Sequence, residues 1–239
     1  MFIIPMAGLS SRFFKAGFTI PKYKLPIGYE TIFEWSVRSF ELYFKTDKFV
    51  FIYRDIYDTE IFIKSKIKEL GIKDYDLICL DNETEGQADT VYEGTKHIDT
   101  NDPIFIFNID SKIEGFTKPT WIESCAGYIE VFESEGDQWS FVLPGEKNNV
   151  IRTTEKDRIS DLCSDGLYFF DKLSTFKNLF LYAKENKLTT KGEYYVAPLY
   201  NILIEQGGIV RYDLIDKRDI LFCGTPNEYN VMVKNISES

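Results

Sequence analysis

Residues 2–12 read FIIPMAGLSSR, a short apolar run that gives way to small residues and ends in a cation. The run from Phe2 to Pro5 has the composition of a buried strand. The glycine and serines after it have little side-chain bulk, so the backbone N–H groups of this turn can approach a ligand closely. Arg12 then adds a positive charge. A bare turn that follows a buried strand and carries a cation favours the binding of a polyanion.

A second cation, Lys22, follows ten residues later in the segment PKYKLPI of residues 21–27. Two cations beside exposed amide groups suit a triphosphate. The turn differs from two familiar phosphate motifs, because the P-loop pattern Gly-x-x-x-x-Gly-Lys-Ser/Thr is absent. Gly8 is also not followed by the spaced glycines of the dinucleotide-binding pattern. The sequence therefore predicts a phosphate site of another type.

Composition and charge limit the class of protein. The chain has 239 residues, 44% of them hydrophobic, which is enough for one α/β domain with a sizeable core. A net charge of −10 argues against a nucleic-acid partner, since nucleic-acid binding needs a basic surface. The four cysteines form no Cys-x-x-Cys pair, and the single histidine, His97, cannot hold zinc by itself. No stretch is long enough for a membrane span, so we expect a cytoplasmic protein with reduced thiols and no membrane partner.

Strand-like and helix-like runs alternate along the chain. The predicted strands are residues 2–5, 48–53, 75–80, 103–108, 128–132, 139–142, 166–170 and 209–214. The predicted helices are residues 31–43, 56–70, 87–97, 173–186 and 194–206. Three successive strand–helix units before residue 110 indicate an α/β fold with a parallel sheet and helices on both faces.

Residues 3–27 as a whole resemble the opening of the sugar-phosphate nucleotidylyltransferases, whose first strand is followed by Gly-x-Gly/Ser-x-Arg and then by Pro-Lys-x-Leu. The resemblance implies a Rossmann-like, mostly parallel mixed sheet of the nucleotidyltransferase or GT-A type. It also implies a single domain over residues 1–239, with a nucleotide-binding half at 1–110 and an acceptor-binding half at 111–239. The residues expected to bind the triphosphate are Ala7, Gly8, Leu9, Ser10, Ser11 and Arg12.

A candidate metal ligand lies in the segment FIFNIDS of residues 105–111, where an apolar strand ends in Asp110. Ligands of open α/β sheets gather outside the carboxyl ends of the strands. A carboxylate that faces a triphosphate there needs a divalent cation between the two anions, and Mg²⁺ (or Mn²⁺) is the natural choice. The family has its metal-binding aspartate at the end of the corresponding strand, and Asp110 matches it.

The chain departs from the family at a second metal ligand. The family commonly has another aspartate two residues before a late Gly-Thr pair. Gly224 and Thr225 are present here, but Phe222 stands in the place of that aspartate, although Asp216 and Asp219 are near in sequence. Three explanations follow: the metal is held by Asp110 and phosphates, another carboxylate substitutes, or the chain is a non-catalytic relative.

The segment EGQA of residues 85–88 resembles the Gly-Thr-Ala segment that contacts the nucleotide base in the family, so Gly86, Gln87 and Ala88 are expected to bind the base. Five residues before Gly86 the family often has a glutamine that reads the base edge, and this chain has Asp81. A carboxylate only accepts hydrogen bonds. Because cytosine presents an amino donor where uracil presents an oxygen, Asp81 favours cytosine, or guanine with its donors, over uracil, and we expect CTP to be preferred over UTP.

The acceptor half is indicated by TEK at residues 154–156, followed by a Gly-x-Tyr-x-Phe strand from Gly166. This arrangement resembles the family pattern Glu-Lys-Pro, in which the lysine holds the phosphate of the acceptor substrate. The segment around residues 193–201 resembles another part of the acceptor pocket. The expected acceptor-binding residues are Asn108, Lys156, Gly166, Glu193 and Tyr194, and the expected catalytic residues are Arg12, Lys22, Asp110 and Lys156.

The resemblance implies an enzyme that transfers a nucleotidyl group, CMP by preference, from a magnesium–nucleoside triphosphate to a phosphorylated small molecule and releases pyrophosphate. Relatives activate phosphosugars, phosphocholine and similar metabolites for envelope polymers. The chain is also similar to capsule-cluster cytidylyltransferases, including those that activate phosphoglutamine. A homodimer is compatible with the sequence. Two alternatives stay open: a glycosyltransferase of the GT-A type, which usually carries Asp-x-Asp where this chain has Asn108-Ile109-Asp110, and a non-catalytic nucleotide- or sugar-binding regulator.

Overall fold

The first strand forms where the sequence predicts it, in a computed structural model that describes residues 1–237. The strands are β1 (Phe2–Pro5), β2 (Pro26–Ile27), β3 (Glu30–Thr31), β4 (Lys48–Tyr53), β5 (Asp74–Cys79), β6 (Ile104–Phe107), β7 (Ser111–Ile113), β8 (Gly127–Glu133), β9 (Ser140–Pro144), β10 (Val150–Glu155), β11 (Leu162–Phe170), β12 (Val210–Leu214) and β13 (Ile220–Phe222). The helices are α1 (Ser11–Lys15), α2 (Ile32–Val37), α3 (Thr59–Leu70), α4 (Gln87–Thr95), α5 (Leu173–Glu185), α6 (Leu199–Glu205) and α7 (Pro226–Ser237).

The chain divides into two units that are interleaved along the sequence. The first unit comprises residues 1–3, 83–107 and 118–217. The second unit comprises residues 4–82, 108–117 and the chain from Arg218 onward. The boundary crosses β1, because Ile3 belongs to the first unit and Ile4 to the second. Within residues 1–237, no helix combines the length and the apolar character needed to cross a membrane.

In the first unit, β6 pairs in parallel with the start of β1 and antiparallel with β11. The strand order continues from β11 through β9 to β10, and β8 pairs both with β11 and, in parallel, with β12. Every residue of β6 and of β11 is buried; β6 is wholly apolar, whereas β11 buries Ser164, Asp165 and Gly166 between apolar residues. The two strands therefore form the core of this unit.

In the second unit, β4 and β5 pair in parallel from Lys48 opposite Asp74 to Tyr53 opposite Cys79. Two short antiparallel pairs, β2 with β3 and β7 with β13, complete the strands of this unit. The predicted α/β fold with a mixed, mostly parallel central sheet is confirmed. Its antiparallel members come from the second half of the chain, where β11 runs against its neighbours.

Two predicted helices differ from the observed ones. The helix predicted at 194–206 begins only at Leu199, because Pro198 has no N–H to donate and restricts the residue before it to extended backbone. The helix predicted at 31–43 is α-helical only to Val37 and continues as a 3₁₀ segment, Arg38–Tyr43, with non-helical backbone at Phe40. In both cases the apolar spacing is right, but the backbone geometry changes within it.

A pair of carboxyl groups is buried between β8 and β11. Glu130 and Asp165 are buried close to each other: Tyr128 Oη donates to Glu130 Oε2 at 2.8 Å and the N–H of Leu167 donates to Asp165 Oδ1 at 2.9 Å, whereas Glu130 Oε1 and Asp165 Oδ2 are buried without a hydrogen-bond partner. Two buried carboxylates this close would repel each other, so the pair keeps one proton between them. Burial accordingly raises the pKa of both groups, that of Asp165 well above its usual range, and the nearby Asp213 adds to the effect on Glu130.

This pair predicts a pH-dependent loss of stability. The unfolded chain releases the shared proton near the usual carboxyl pKa, whereas the folded chain retains it. The stabilisation is thus complete at low pH and is lost as the pH rises through the raised pKa, by up to about 1.4 kcal/mol per pH unit for one proton. We expect Asp165→Asn, which supplies donors permanently, to flatten the decline in unfolding free energy measured by urea titration between pH 5 and 9. Asp137→Asn, at an exposed position of the same unit, should retain the wild-type slope. An unchanged slope in Asp165→Asn would contradict the shared proton.

Candidate active site

The turn after β1 is fastened at its base and open at its tip. Met6 and Ala7 are buried, and the N–H of Met6 donates to the carbonyl of Ile52 in β4 at 2.8 Å. Ser10 has left-handed backbone, with φ of 53°, and its carbonyl accepts from the N–H of Phe13 at 2.9 Å as α1 begins. A Cβ at Gly8 would meet no atom within 4 Å. The turn therefore leaves open space above the glycine for a ligand.

Ser10 links the turn that ends in Arg12 to the Pro-Lys segment that carries Lys22. Its hydroxyl oxygen accepts a hydrogen bond from the backbone N–H of Lys22 at 3.1 Å. Arg12 lies on α1 with an exposed side chain. The structure thus places the serine of the turn against the start of the Pro-Lys segment, as a shared phosphate site requires.

Lys22 in turn reaches the predicted metal ligand. Its ammonium nitrogen lies 2.5 Å from Asp110 Oδ2, and both side chains are about one-fifth exposed, at 22% and 23%. The backbone carbonyl of Asp110 accepts from the N–H of Cys223 at 2.7 Å. Burial raises the pKa of the Cys223 thiol to about 12, and the negative charges of Asp110 and Glu228 contribute to the shift. Asp110 therefore lies between two distant segments, one around Lys22 and one around Cys223.

Gly224 forms the floor of a small cradle beside Asp110. A Cβ at this position would lie 3.0 Å from Asp110 Oδ2 and 3.6 Å from Glu228 Oε2, so only glycine leaves the space between the two carboxylates open. Within residues 1–237, no three His, Cys, Asp or Glu side chains form a group that could hold a metal ion. Two carboxylates fit Mg²⁺ nevertheless, because this ion commonly takes one or two carboxylates and completes its shell with water and phosphate oxygens.

Asp219, an acidic residue near this segment, lies at the far end of a short strand pair. Strand β13 pairs antiparallel with β7, with Phe222 opposite Ser111 and Ile220 opposite Ile113. The carbonyl of Asp219 accepts from the N–H of Glu114 at 2.7 Å, at the end of the ladder remote from Asp110. Asp219 is therefore no substitute for the aspartate that Phe222 replaces.

In the first unit, the predicted base-binding segment pairs with the segment of Tyr194. The N–H of Tyr194 donates to the carbonyl of Glu85 at 2.7 Å, and the N–H of Ala88 donates to the carbonyl of Tyr194 at 3.0 Å. Gly86 lies between these bonds with φ of 122°, and a Cβ there would lie 2.6 Å from the Tyr194 carbonyl oxygen. The structure thus brings together two segments that the sequence assigns to different substrates.

Lys156 occupies a constrained position at the end of β10. Its backbone is left-handed, with φ of 56°, and its ammonium group donates to Tyr195 Oη while lying 4.3 Å from the centre of the Tyr195 ring. Glu155 Oε1 is 3.5 Å from the same ammonium nitrogen. Burial raises the pKa of Glu155, although a hydrogen bond from Ser140 and the charge of Lys156 oppose the shift. The lysine is therefore held by an aromatic ring and a buried carboxyl group.

The remaining predicted residues have mixed surroundings. Gly166 lies in a bulge of β11 with φ of 99°, whereas Glu193 and Asp81 are exposed, the latter just beyond β5. Asn201 has a structural role, because its side-chain amide accepts from the N–H of Thr153 at 2.8 Å and donates to the Thr153 carbonyl at 2.9 Å. Asn201 thereby joins α6 to β10 with the two backbone hydrogen bonds that a neighbouring strand would make.

The predicted residues divide between the units. Those in the second unit are Ala7, Gly8, Leu9, Ser10, Ser11, Arg12, Lys22, Asp81, Asn108 and Asp110. Those in the first unit are Gly86, Gln87, Ala88, Lys156, Gly166, Glu193 and Tyr194. Sequence reasoning missed Tyr195 as the partner of Lys156 and Glu228 as a neighbour of Asp110. The Thr-x-x-Glu pattern from Thr225 to Glu228 marks a helix start, which gave no signal of a ligand site.

The structure is similar to that of the nucleoside-diphosphate-sugar pyrophosphorylase from Vibrio cholerae RC9, with 43% sequence identity, a TM-score of 0.94 and coverage of 98% of this chain and 100% of that one. Two further similar structures are a UDP-glucose pyrophosphorylase from Acinetobacter baumanii (16% identity, TM-score 0.73, coverage 98% and 92%) and the inositol-1-phosphate CTP transferase from T. maritima (13%, 0.72, coverage 100% and 96%). These two share the fold alone. No protein-family model and no curated protein matches the chain.

At 43% identity over nearly the whole of both chains, this protein belongs to the sugar-phosphate nucleotidylyltransferase family. The family that the sequence resembles is therefore confirmed.

Substitution by alanine should affect stability differently at Gly86, before α4, and at Gly8, in the turn after β1. At Gly86 a Cβ would overlap the Tyr194 backbone and the left-handed φ would be strained, so Gly86→Ala should cost about 2–4 kcal/mol of unfolding free energy. Gly8→Ala enters open space and should cost no more than about 0.5 kcal/mol. Urea unfolding of both variants gives the two values. Equal effects would mean that the pairing of Gly86 with Tyr194 does not constrain the first unit.

Proposed function

We propose that this chain transfers a nucleotidyl group from a magnesium-bound nucleoside triphosphate to the phosphate of a small acceptor molecule. The observation that carries the proposal is the ion pair between Lys22 and Asp110, formed next to the open turn of Gly8 and Ser10. Cation, carboxylate and bare backbone amides are the groups that a metal-bound triphosphate requires. The similarity to the Vibrio cholerae pyrophosphorylase supports the same class of reaction.

In the proposed reaction, an oxygen of the acceptor phosphate attacks the α-phosphorus of the triphosphate. The new P–O bond forms as the bond to the β-phosphate oxygen breaks, and pyrophosphate leaves. The attacking phosphate is already ionised, so no general base is needed. Both reactants are anions, and the protein therefore contributes chiefly position and neutralising charge.

The triphosphate of the donor would be bound by residues of the second unit. Arg12 and the N–H groups of the turn would hold the triphosphate oxygens, and Lys22 could exchange its bond with Asp110 for a phosphate oxygen. Asp110 would hold the metal, which when bound neutralises charge that develops on the phosphates.

In the first unit, Gly86, Gln87 and Ala88 would contact the base of the donor, and Lys156 would bind the acceptor. Lys156 offers a point charge to the acceptor phosphate, and its contacts with Tyr195 and Glu155 restrict where that charge can lie. The acceptor proposed from the sequence is phosphoglutamine or a phosphosugar destined for capsule or envelope polysaccharide. The support for it is the similarity to capsule-cluster cytidylyltransferases together with the lysine.

Pyrophosphate release with a panel of nucleoside triphosphates and phosphorylated acceptors tests the proposal directly. We expect release to require both substrates and a divalent cation. Asp110→Asn should lower the rate about a thousandfold or more, because removing the main metal ligand costs several kcal/mol of transition-state stabilisation. Asp219→Asn, at the other end of the same ladder, is the matched control and should remain active.

Other outcomes would favour the alternatives. Sugar transfer from a nucleotide sugar without pyrophosphate release would indicate a glycosyltransferase. Nucleotide binding without turnover of any pair would indicate a regulator. An Asp110→Asn variant that retained more than about a tenth of the wild-type rate would contradict the metal assignment.

The proposed base preference is for CTP, and it rests on Asp81. This exposed carboxylate can accept from the cytosine amino group but meets an oxygen of uracil. Once the bound base covers Asp81 and excludes water, an acceptor left unpaired there costs about 1–3 kcal/mol, so we expect kcat/KM for CTP to exceed that for UTP about tenfold to a hundredfold. Asp81→Gln should narrow this ratio, because an amide can also donate. A wild-type enzyme that used UTP equally well would refute the preference.

A further inference from the structure

We propose that Glu228 is the second carboxylate that binds the divalent cation in this chain, in place of the aspartate that Phe222 replaces. The proposal rests on the proposed function, because the cation is the one that would accompany the triphosphate. It assigns Asp110 and Glu228 together as the protein's ligands.

The geometry around Gly224 carries the proposal. Asp110 Oδ2 and Glu228 Oε2 lie 3.0 and 3.6 Å from the same point, where a Cβ of residue 224 would be. The two carboxylates therefore face one small space from different segments of the second unit, and the glycine keeps that space open. Neither Phe222, which pairs with Ser111, nor Asp219, which lies at the far end of the ladder, offers a carboxylate to it.

Glu228 also caps the N-terminus of α7 from within its first turn, and this role can be separated from metal binding. Its Oε2 accepts from the N–H of Thr225 at 2.9 Å, and the Thr225 hydroxyl accepts from the N–H of Glu228 at 3.2 Å. These reciprocal bonds form a capping box. A carboxylate has two oxygens and several lone pairs, so it can cap the helix and bind an ion at once. Glutamine keeps the capping bonds and removes the charge.

Lys22 competes for the same space. Its ammonium nitrogen is 2.5 Å from Asp110 Oδ2, the oxygen that faces Gly224. A cation on this oxygen has to displace the ammonium group or share the carboxylate with it. Removing the lysine charge should therefore strengthen metal binding, whereas removing the charge of Glu228 should weaken it.

The test measures Mn²⁺ binding to the full chain by electron paramagnetic resonance, alone and with CTP but without acceptor. We expect Glu228→Gln to weaken Mn²⁺ binding at least about tenfold, as loss of groups at metal sites commonly does, and Lys22→Met to tighten it in the absence of CTP. The matched control is Glu34→Gln. Glu34 closes the capping box of α2 with Thr31 in the same way, but its charge pairs with Lys66. This variant should bind Mn²⁺ as the wild type does.

The possible results separate this proposal from the proposed function. The assignment of Glu228 is overturned if Glu228→Gln binds Mn²⁺ as tightly as the wild type in both conditions, or if the wild type binds none. If Glu228→Gln fails to fold, as shown by its thermal transition, the Lys22→Met variant decides. An unchanged Mn²⁺ affinity in that variant overturns the proposal that Lys22 and the cation compete for the space beside Gly224. Mn²⁺ binding that depends on Glu228 in a chain that releases no pyrophosphate supports the site and refutes the function.

Discussion

The carboxylate of Asp110 is the constraint around which the second unit is arranged. It follows β6, whose four residues are all apolar and buried, so burial of the strand fixes where the chain presents Asp110. From this position it binds Lys22, and its backbone holds Cys223. Lys22, which lies 88 residues before Asp110 in the sequence, is in this way placed beside its carboxylate. An ion pair near the surface contributes little to stability, so the Lys22–Asp110 pair matters chiefly because it positions the two side chains.

The two carboxyl pairs of the protein illustrate opposite uses of burial. Glu130 and Asp165 are almost completely removed from water and avoid two like charges by retaining a proton. Asp110 and Glu228 are half-buried and face an open space beside a lysine. The first pair lies in the core of the first unit, at the bulge of β11. The second pair keeps its charge and can exchange partners, as a ligand-binding site requires.

In the first unit, backbone hydrogen bonds position the candidate site residues. The bonds between Glu85, Ala88 and Tyr194 join the start of α4 to the segment before α6. Tyr195 then follows directly and holds Lys156. Only glycine tolerates both the left-handed backbone at position 86 and the close contact with the Tyr194 backbone. This one glycine thereby helps to position the side chains of Tyr195 and Lys156, which come from remote parts of the sequence.

The sequence by itself determined the strands β1, β4, β5 and β6, the bare turn after β1 and the acid that ends β6. Each depends on local composition: apolar runs require burial, and small residues permit close backbone approach. The start of α6 and the break in α2 escaped prediction, because proline and local backbone geometry interrupt a pattern whose apolar spacing continues. Only the tertiary structure decided that Tyr195 meets Lys156 and that Glu228 faces Asp110. These contacts depend on strand register and on which segments pair, and periodicity along one segment carries no information about the segment that packs against it.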